Sequence, residues 1–157
     1  MNDENQYLGQ AIALARANIG KGGRPFGAVL VQEGKVVATA VNEIHASNDP
    51  TSHAEMNVIR AASRRLGRPD LKGSAVYASG HPCPMCMAAM RLAGVDRVFY
   101  AHSNDDGAPF GLSTAAISED LARPFAEQSM AIRYVPVRPQ GERDLYAEWA
   151  EVRDRRG

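Results

Sequence analysis

Two cysteines are all that the 157 residues contain, and they lie three apart in the chain. No disulfide framework can be built from such a pair, so nothing points to a secreted, cross-linked domain. No apolar run approaches the length needed to span a membrane, and no membrane partner is expected. The start, Met1-Asn2-Asp3-Glu4-Asn5, is acidic and polar, the reverse of an export signal. The expectation is a cytoplasmic protein. Charge of either sign is not in surplus: 18 Lys and Arg stand against 18 Asp and Glu. That balance gives no electrostatic reason for tight, non-specific nucleic-acid binding. Arg64, Arg65 and Arg68 cluster locally and read as a solvated helix face. Internal repeats, low-complexity tracts and interdomain linkers are also missing. What remains is 45% apolar and 23% charged residues, an ordinary globular composition, with enough length for one domain with a proper core.

Residues from about Glu4 to Ile19 read as an amphipathic helix with Leu8, Ala11, Ile12, Ala15 and Ile19 on one face. Phe26 to Val31 is a short apolar run suited to a strand buried on both faces. Glu33-Gly34 is a turn, and Lys35 to Val41 the antiparallel partner strand. A polar loop from Asn42 to Ser52 leads to a second helix, about Ser52 to Leu66. Its inward stripe is Met56, Ile59, Ala62, Ser63 and Leu66. Ser74 to Ala78 reads as a strand, Cys83 to Ala93 as a third helix ending at Gly94, and Arg97 to Ala101 as another strand. His102 to Leu112 is a loop long enough to be functional. Ser113 or Thr114 caps a short helix through Leu121. Ala131 to Val135 reads as a last strand and Arg143 to Arg155 as a terminal helix, with Leu145, Trp149 and Val152 on one side. Strands separated by helices imply an α/β sandwich, with helices on both faces of a mixed sheet. The crossovers through the second and third helices are expected to give parallel pairs.

Two stretches organise this pattern: His53-Ala54-Glu55, and Pro82-Cys83-Pro84-Met85-Cys86. Both fall at the start of a helix. One imidazole and two thiols supply three corners of a tetrahedral zinc site; a water in the fourth makes the site catalytic, a fourth side chain makes it structural. A helix N-terminus stabilises thiolate through its partial positive charge and free N–H groups. Zinc held this way lowers the pKa of water to about 7, giving a nucleophile at neutral pH. Glu55 is expected not to bind metal but to carry the proton.

Duller readings exist for each piece. Cys-Pro-x-Cys after a strand is also the pattern of a thioredoxin-like redox pair, which gives His53 and Glu55 no role. A structural zinc would take its fourth ligand from His45, His81 or His102. Met85, Met87 and Met90 read as packing. Phe26 and Phe110 could stack on a ring or serve the core.

His-x-Glu followed by Pro-Cys-x-x-Cys resembles the signature of the zinc deaminases. The chain resembles the cytidine deaminase-like superfamily, in its branch of bacterial guanine deaminases and nucleoside or tRNA-adenosine deaminases. The matching pieces are Pro25 to Val29, Asn42, Asn48-Asp49-Pro50-Thr51, His53 to Glu55, Pro82 to Cys86 and Val98 to Ala101. The resemblance implies a three-layer α/β/α sandwich with a five-stranded mixed sheet, residues 1–157 forming a single zinc-dependent deaminase domain. It implies Zn2+ on His53, Cys83 and Cys86, Glu55 as proton shuttle, and substrate contacts from Asn42 and the Ala54 backbone N–H; Phe26, left open between ring stacking and the core, is the further candidate for substrate binding. The reaction is hydrolytic deamination of a free nucleobase or nucleoside, with guanine to xanthine plus ammonia the leading expectation. A tRNA adenosine deaminase, a cytosine, cytidine or aminotriazine deaminase, and a zinc-stabilised binding module are the alternatives. Family members are usually homodimers, and in the guanine deaminase branch the C-terminal segment can swap to close the partner's site. Pro84 and the Asn-Asp-Pro-Thr approach fit the guanine branch, and Asp105 and Asp106 would repel an RNA backbone. Two departures concern the substrate. His81 stands where the branch usually has Glu, and Leu112-Ser113-Thr114 stands where guanine deaminases carry Phe-Asp-Asp. Asp105, Asp106 and Glu148 are candidate substitutes for the missing acid.

Overall fold

The structure, a computed structural model, describes residues 3–157. Met1 and Asn2, the start of the segment read as unlike an export signal, lie outside the described residues. The chain divides into two compact units, one ending at Ala122 and one spanning Arg123–Gly157. In the first unit α1 covers Asp3–Gly20, β1 Gly27–Gln32, β2 Lys35–Val41, α2 Ile44–Ser47, α3 Ala54–Leu66, β3 Ser74–Gly80, α4 Pro84–Ala93, β4 Arg97–His102, α5 Asn104–Gly107 and α6 Ala115–Leu121. A single 3-10 turn, Ala108–Phe110, follows α5.

The sheet order is β2-β1-β3-β4. β1 is central and apolar on both faces, as its unbroken apolar run requires. Ala28 and Leu30 face one core with Ala54, Val58, Ala62, Cys86 and Met90, the layer of α3 and α4. Val29 and Val31 face another with Tyr7, Ala11, Ala75 and Tyr77, the layer of α1. Helices therefore cover both faces. α1 comes so close that a Cβ on Gly27 would lie 2.4 Å from the Ala11 carbonyl oxygen; only a residue without a side chain fits there. The β1–β2 hairpin turns at Glu33 and Gly34, both with positive φ, the two-residue form whose twist matches that of the strands.

Three expectations change. β3 pairs with β4 in parallel, as a helical crossover requires, but β1 and β3 are antiparallel. The crossover through α3 carries the chain past β2 to the far side of β1, so β3 runs parallel to a strand it does not touch. Among the described residues the sheet has four strands, not five. Residues 131–139 have no regular structure, with Tyr134 and Val135 exposed. Strand-forming side chains make no strand without a ladder partner, and among the described residues their backbone finds none. In α1, Ile19 is exposed and Asn18 turns inward instead. The Asn18 amide donates to the carbonyls of Arg24, at 2.8 Å, and Asn42, at 2.9 Å. This buried polar pin ties the end of α1 to the loops beside the site.

The second unit contains a 3-10 turn, Phe125–Glu127, and α7, Leu145–Arg156. Asp144 caps α7 by accepting from the N–H groups of Tyr146 and Ala147. Its stripe of Leu145, Trp149 and Val152 is exposed. Among the described residues no helix is long and apolar enough to cross a membrane.

Candidate active site

The loop before α3 is built from short-range hydrogen bonds. The Asp49 carboxylate accepts from the N–H and hydroxyl of Thr51, both at 2.8 Å. Asn57 in α3 reaches back to the Val41 carbonyl and the Ser52 hydroxyl. Together they set His53 as the N-cap of α3 in extended backbone. Cys83 is likewise the extended N-cap of α4, with Pro84 as the first helical residue. Neither makes the side-chain cap that Ser or Asp would make there. Both side chains instead point away from their helices, toward each other.

The His53 Nδ1 lies 3.5 Å from the Cys83 Sγ and 3.6 Å from the Cys86 Sγ. The two sulfurs are 3.5 Å apart and unbridged. Zinc bonds of about 2.3 Å to sulfur and 2.0–2.1 Å to nitrogen give tetrahedral edges of about 3.8 Å and 3.6 Å. The three donors fit that tetrahedron closely. Among the described residues they are the one such donor group, and His45, His81 and His102 do not join it. A structural site closed by a fourth histidine is therefore not formed.

Glu55 sits in the first turn of α3 with 5% of its surface exposed. Its Oε2 accepts from the Cys86 thiol at 3.5 Å. Burial pushes its pKa up, as expected of a carboxyl taken out of water. Hydrogen bonding with the Cys86 side chain, helped by His53 and the Cys86 backbone N–H, brings the Cys83 thiol down to about 4. The same bond to Cys83, then burial, pushes Cys86 up. A metal removes that asymmetry, since a coordinating thiol is deprotonated outright. Bonding to Cys83 raises the His53 pKa.

These groups open on a cavity of about 190 Å³ lined by Arg24, Phe26, Asn42, His53, Glu55, His81, Cys83 and residues 111–114. That is below the range of about 300–1,000 Å³ for drug-sized ligands, a scale suited to one small ring system. Asn42 is buried, and its Oδ1 accepts from the Ile44 N–H at 3.1 Å. This leaves its Nδ2 to donate to a ligand. Phe26 lies against Gly80, where a Cβ would come within 2.9 Å of the ring. Ala54 is fully buried in the core and does not line the cavity; as the first residue of α3, its N–H has no partner within the helix. His81 lines the cavity, its Nδ1 donating to the Pro82 carbonyl at 3.1 Å and its ring edge-on to Tyr100.

The residues 112–114 do line the cavity, but the proposed substitutes Asp105 and Asp106 do not. Asp106 is committed to a capping box with the N–H and hydroxyl of Ser103, which holds its carboxyl below the usual range. Arg24 carried no signal in the sequence, because nothing local distinguishes a lone arginine in a glycine-rich loop.

The cytidine and deoxycytidylate deaminase zinc-binding region matches residues 1–102. The chain belongs to this deaminase family. Within it, the chain is 39% identical over 131 residues to the guanine deaminase of Bacillus subtilis, covering 83% of both proteins. It is 36% identical over 107 residues to a tRNA-specific adenosine deaminase of Agrobacterium fabrum, covering 68% of this chain and 70% of that one. The X-ray structure of guanine deaminase from Bacillus subtilis superimposes with a TM-score of 0.84 at 34% identity, covering 98% of this chain and 95% of that chain. Membership makes the chain a hydrolase acting on C–N bonds with a zinc-binding region, and His53, Cys83 and Cys86 could hold the metal.

Proposed function

We propose that this deaminase acts on a free nucleobase or nucleoside, with guanine to xanthine plus ammonia as the leading reaction. The observation that carries the reading is the buried Glu55 carboxyl, lining the same small cavity as His53 and Cys83 of the three-donor group. His53, Cys83 and Cys86 would hold Zn2+, which when bound supplies Lewis-acid activation of water near neutral pH. Phe26 packs against a face of the ring and Asn42 Nδ2 donates to its edge. The Ala54 N–H donates to a ring nitrogen or carbonyl. Glu55 takes a proton from the attacking water and delivers it to the adjacent ring nitrogen. It then moves the remaining hydroxyl proton to the amine. The C–N bond breaks, the carbonyl forms, and one water has become one oxo group and one ammonia.

On this reading residues 1–157 work as one deaminase domain, in homodimers in which the C-terminal segment closes the partner's site. Light scattering should return the mass of two chains; a monomer that turns over at full rate would contradict the dimer.

A second reading, adenosine within a tRNA, draws on the similarity to tRNA-specific adenosine deaminases. An ammonia-release screen separates the two. The panel is guanine, 2,6-diaminopurine, cytosine, cytidine, an aminotriazine and a tRNA anticodon stem-loop. Turnover of guanine supports the first reading; turnover of the stem-loop alone replaces it with the second.

A further inference from the structure

A second cavity, of about 400 Å³, lies within the first unit and shares no wall residue with the Glu55 cavity. Gly73, Ala75 and Arg97 place it at the starts of β3 and β4, whereas the Glu55 cavity lies past the end of β3. Val31, Ala75 and Arg97, register partners on β1, β3 and β4, run across it in a row. Strands stand about 4.8 Å apart, so the two ends of that row are about 10 Å apart. Asp3, Glu4 and Glu33 also line the cavity, and among the described residues no ion pair joins any of them to Arg97. Tyr77 is 5% exposed, its ring between those of Tyr7, at 5.0 Å, and Phe99, at 4.9 Å. The Tyr7 hydroxyl donates to the Gly34 carbonyl at 2.9 Å. The Tyr77 hydroxyl has no hydrogen-bond partner among the described residues, yet it is not sealed in the core, and it meets the cavity that Tyr77 lines. Burial pushes the Tyr77 pKa up, with Arg97 opposing the rise and Glu4 and Asp3 adding to it. The hydroxyl therefore keeps its proton and stays a donor.

Asp3 and Glu4 in the first turn of α1 suit the helix dipole. That accounts neither for Glu33 on the hairpin nor for an unpaired hydroxyl on an almost wholly enclosed ring. The three acids do not converge as a metal ion requires: among the described residues, the one donor group gathered round a common point is His53, Cys83 and Cys86. A ligand that answers them is extended and organic. We propose that this cavity binds a cationic amino acid, with its carboxylate on the Arg97 guanidinium and the Tyr77 hydroxyl and its two positive groups on Asp3, Glu4 and Glu33. Three negative groups and one positive group are the complement of two positive groups and one negative. The aliphatic stem of such a ligand lies along the tyrosine rings, as lysine and arginine stems lie on apolar surface. Arg97 offers a carboxylate the paired N–H fork that fits it. The proposal stands apart from the choice of ring that the deaminase turns over.

The test is calorimetric titration of the full, zinc-loaded chain with L-arginine, with agmatine, which has the same cations but no carboxylate, and with L-glutamate. L-Arginine should bind with a Kd below about 1 mM. Agmatine should bind about tenfold more weakly, the scale of one charge-assisted hydrogen bond, and L-glutamate should give no binding heat. R97Q should bring L-arginine down to the level of agmatine. Y77F keeps the ring and removes the hydroxyl; it should weaken L-arginine roughly fivefold and leave Tm unchanged, because that hydroxyl has no protein partner to lose. E33Q should weaken L-arginine and agmatine alike. A Kd for L-arginine weaker than about 1 mM overturns the proposal, as does agmatine binding as tightly as L-arginine. An L-arginine Kd that R97Q and Y77F leave unchanged, in variants whose Tm shows them folded, also overturns it.

Discussion

Glu55 combines a buried carboxyl, a thiol neighbour and a raised pKa in one cavity wall. Glu55→Gln keeps the shape and removes the proton carrier. It should retain about one zinc per chain by metal analysis yet lose roughly 10²–10⁴-fold in ammonia release; normal turnover would remove Glu55 from the mechanism. His53, Glu55, Cys83 and Cys86 were legible in the sequence because few side chains can do their chemistry and their spacing is local. Arg24 was not legible as a cavity residue, whereas Leu112-Ser113-Thr114 was legible through the resemblance alone. A lone arginine in a glycine-rich loop becomes informative only when the fold brings it to a cavity wall.

The elements hold the site through close packing rather than through strong local preference. Gly27 lets α1 press on β1 beside the loops that Asn18 ties down. Gly27→Ala would drive a methyl into the Ala11 carbonyl, costing about 1–3 kcal/mol by analogy with overpacked cores, measurable as a lower midpoint in urea. An unchanged midpoint would mean that α1 shifts freely. The strands β1, β2, β3 and β4 were readable from apolar runs and turns. The antiparallel pairing of β1 and β3 was not, because where a crossover lands depends on the whole sheet. Residues 131–135 carry strand-forming side chains, yet a strand is a property of a pair. The stripe of α3 was read one step off: Val58 takes the core position, and Met56, Ile59 and Leu66 are only partly buried.

At the scale of the molecule, the three-donor group joins the starts of α3 and α4, which share one core with β1 and β3. Metal at a hundredfold excess over its Kd stabilises a native state by about 2.7 kcal/mol, so stripping it with a chelator should lower Tm by roughly 6–10 °C. Calorimetry before and after chelation reads this directly, and an unmoved Tm would uncouple the site from folding. The composition had pointed to a globular chain, and the alternation of strand and helix patterns to the α/β class. Division into two compact units was not visible, because no change of composition marks Ala122. His53 and Cys83 occupy the helix positions where serine or aspartate would serve stability better. A thermostabilisation campaign guided by melting temperature alone would therefore select His53→Ser or Cys83→Asp from metal-free protein. It would enrich for sturdier molecules that have lost their chemistry, and libraries screened this way should fix both positions beforehand.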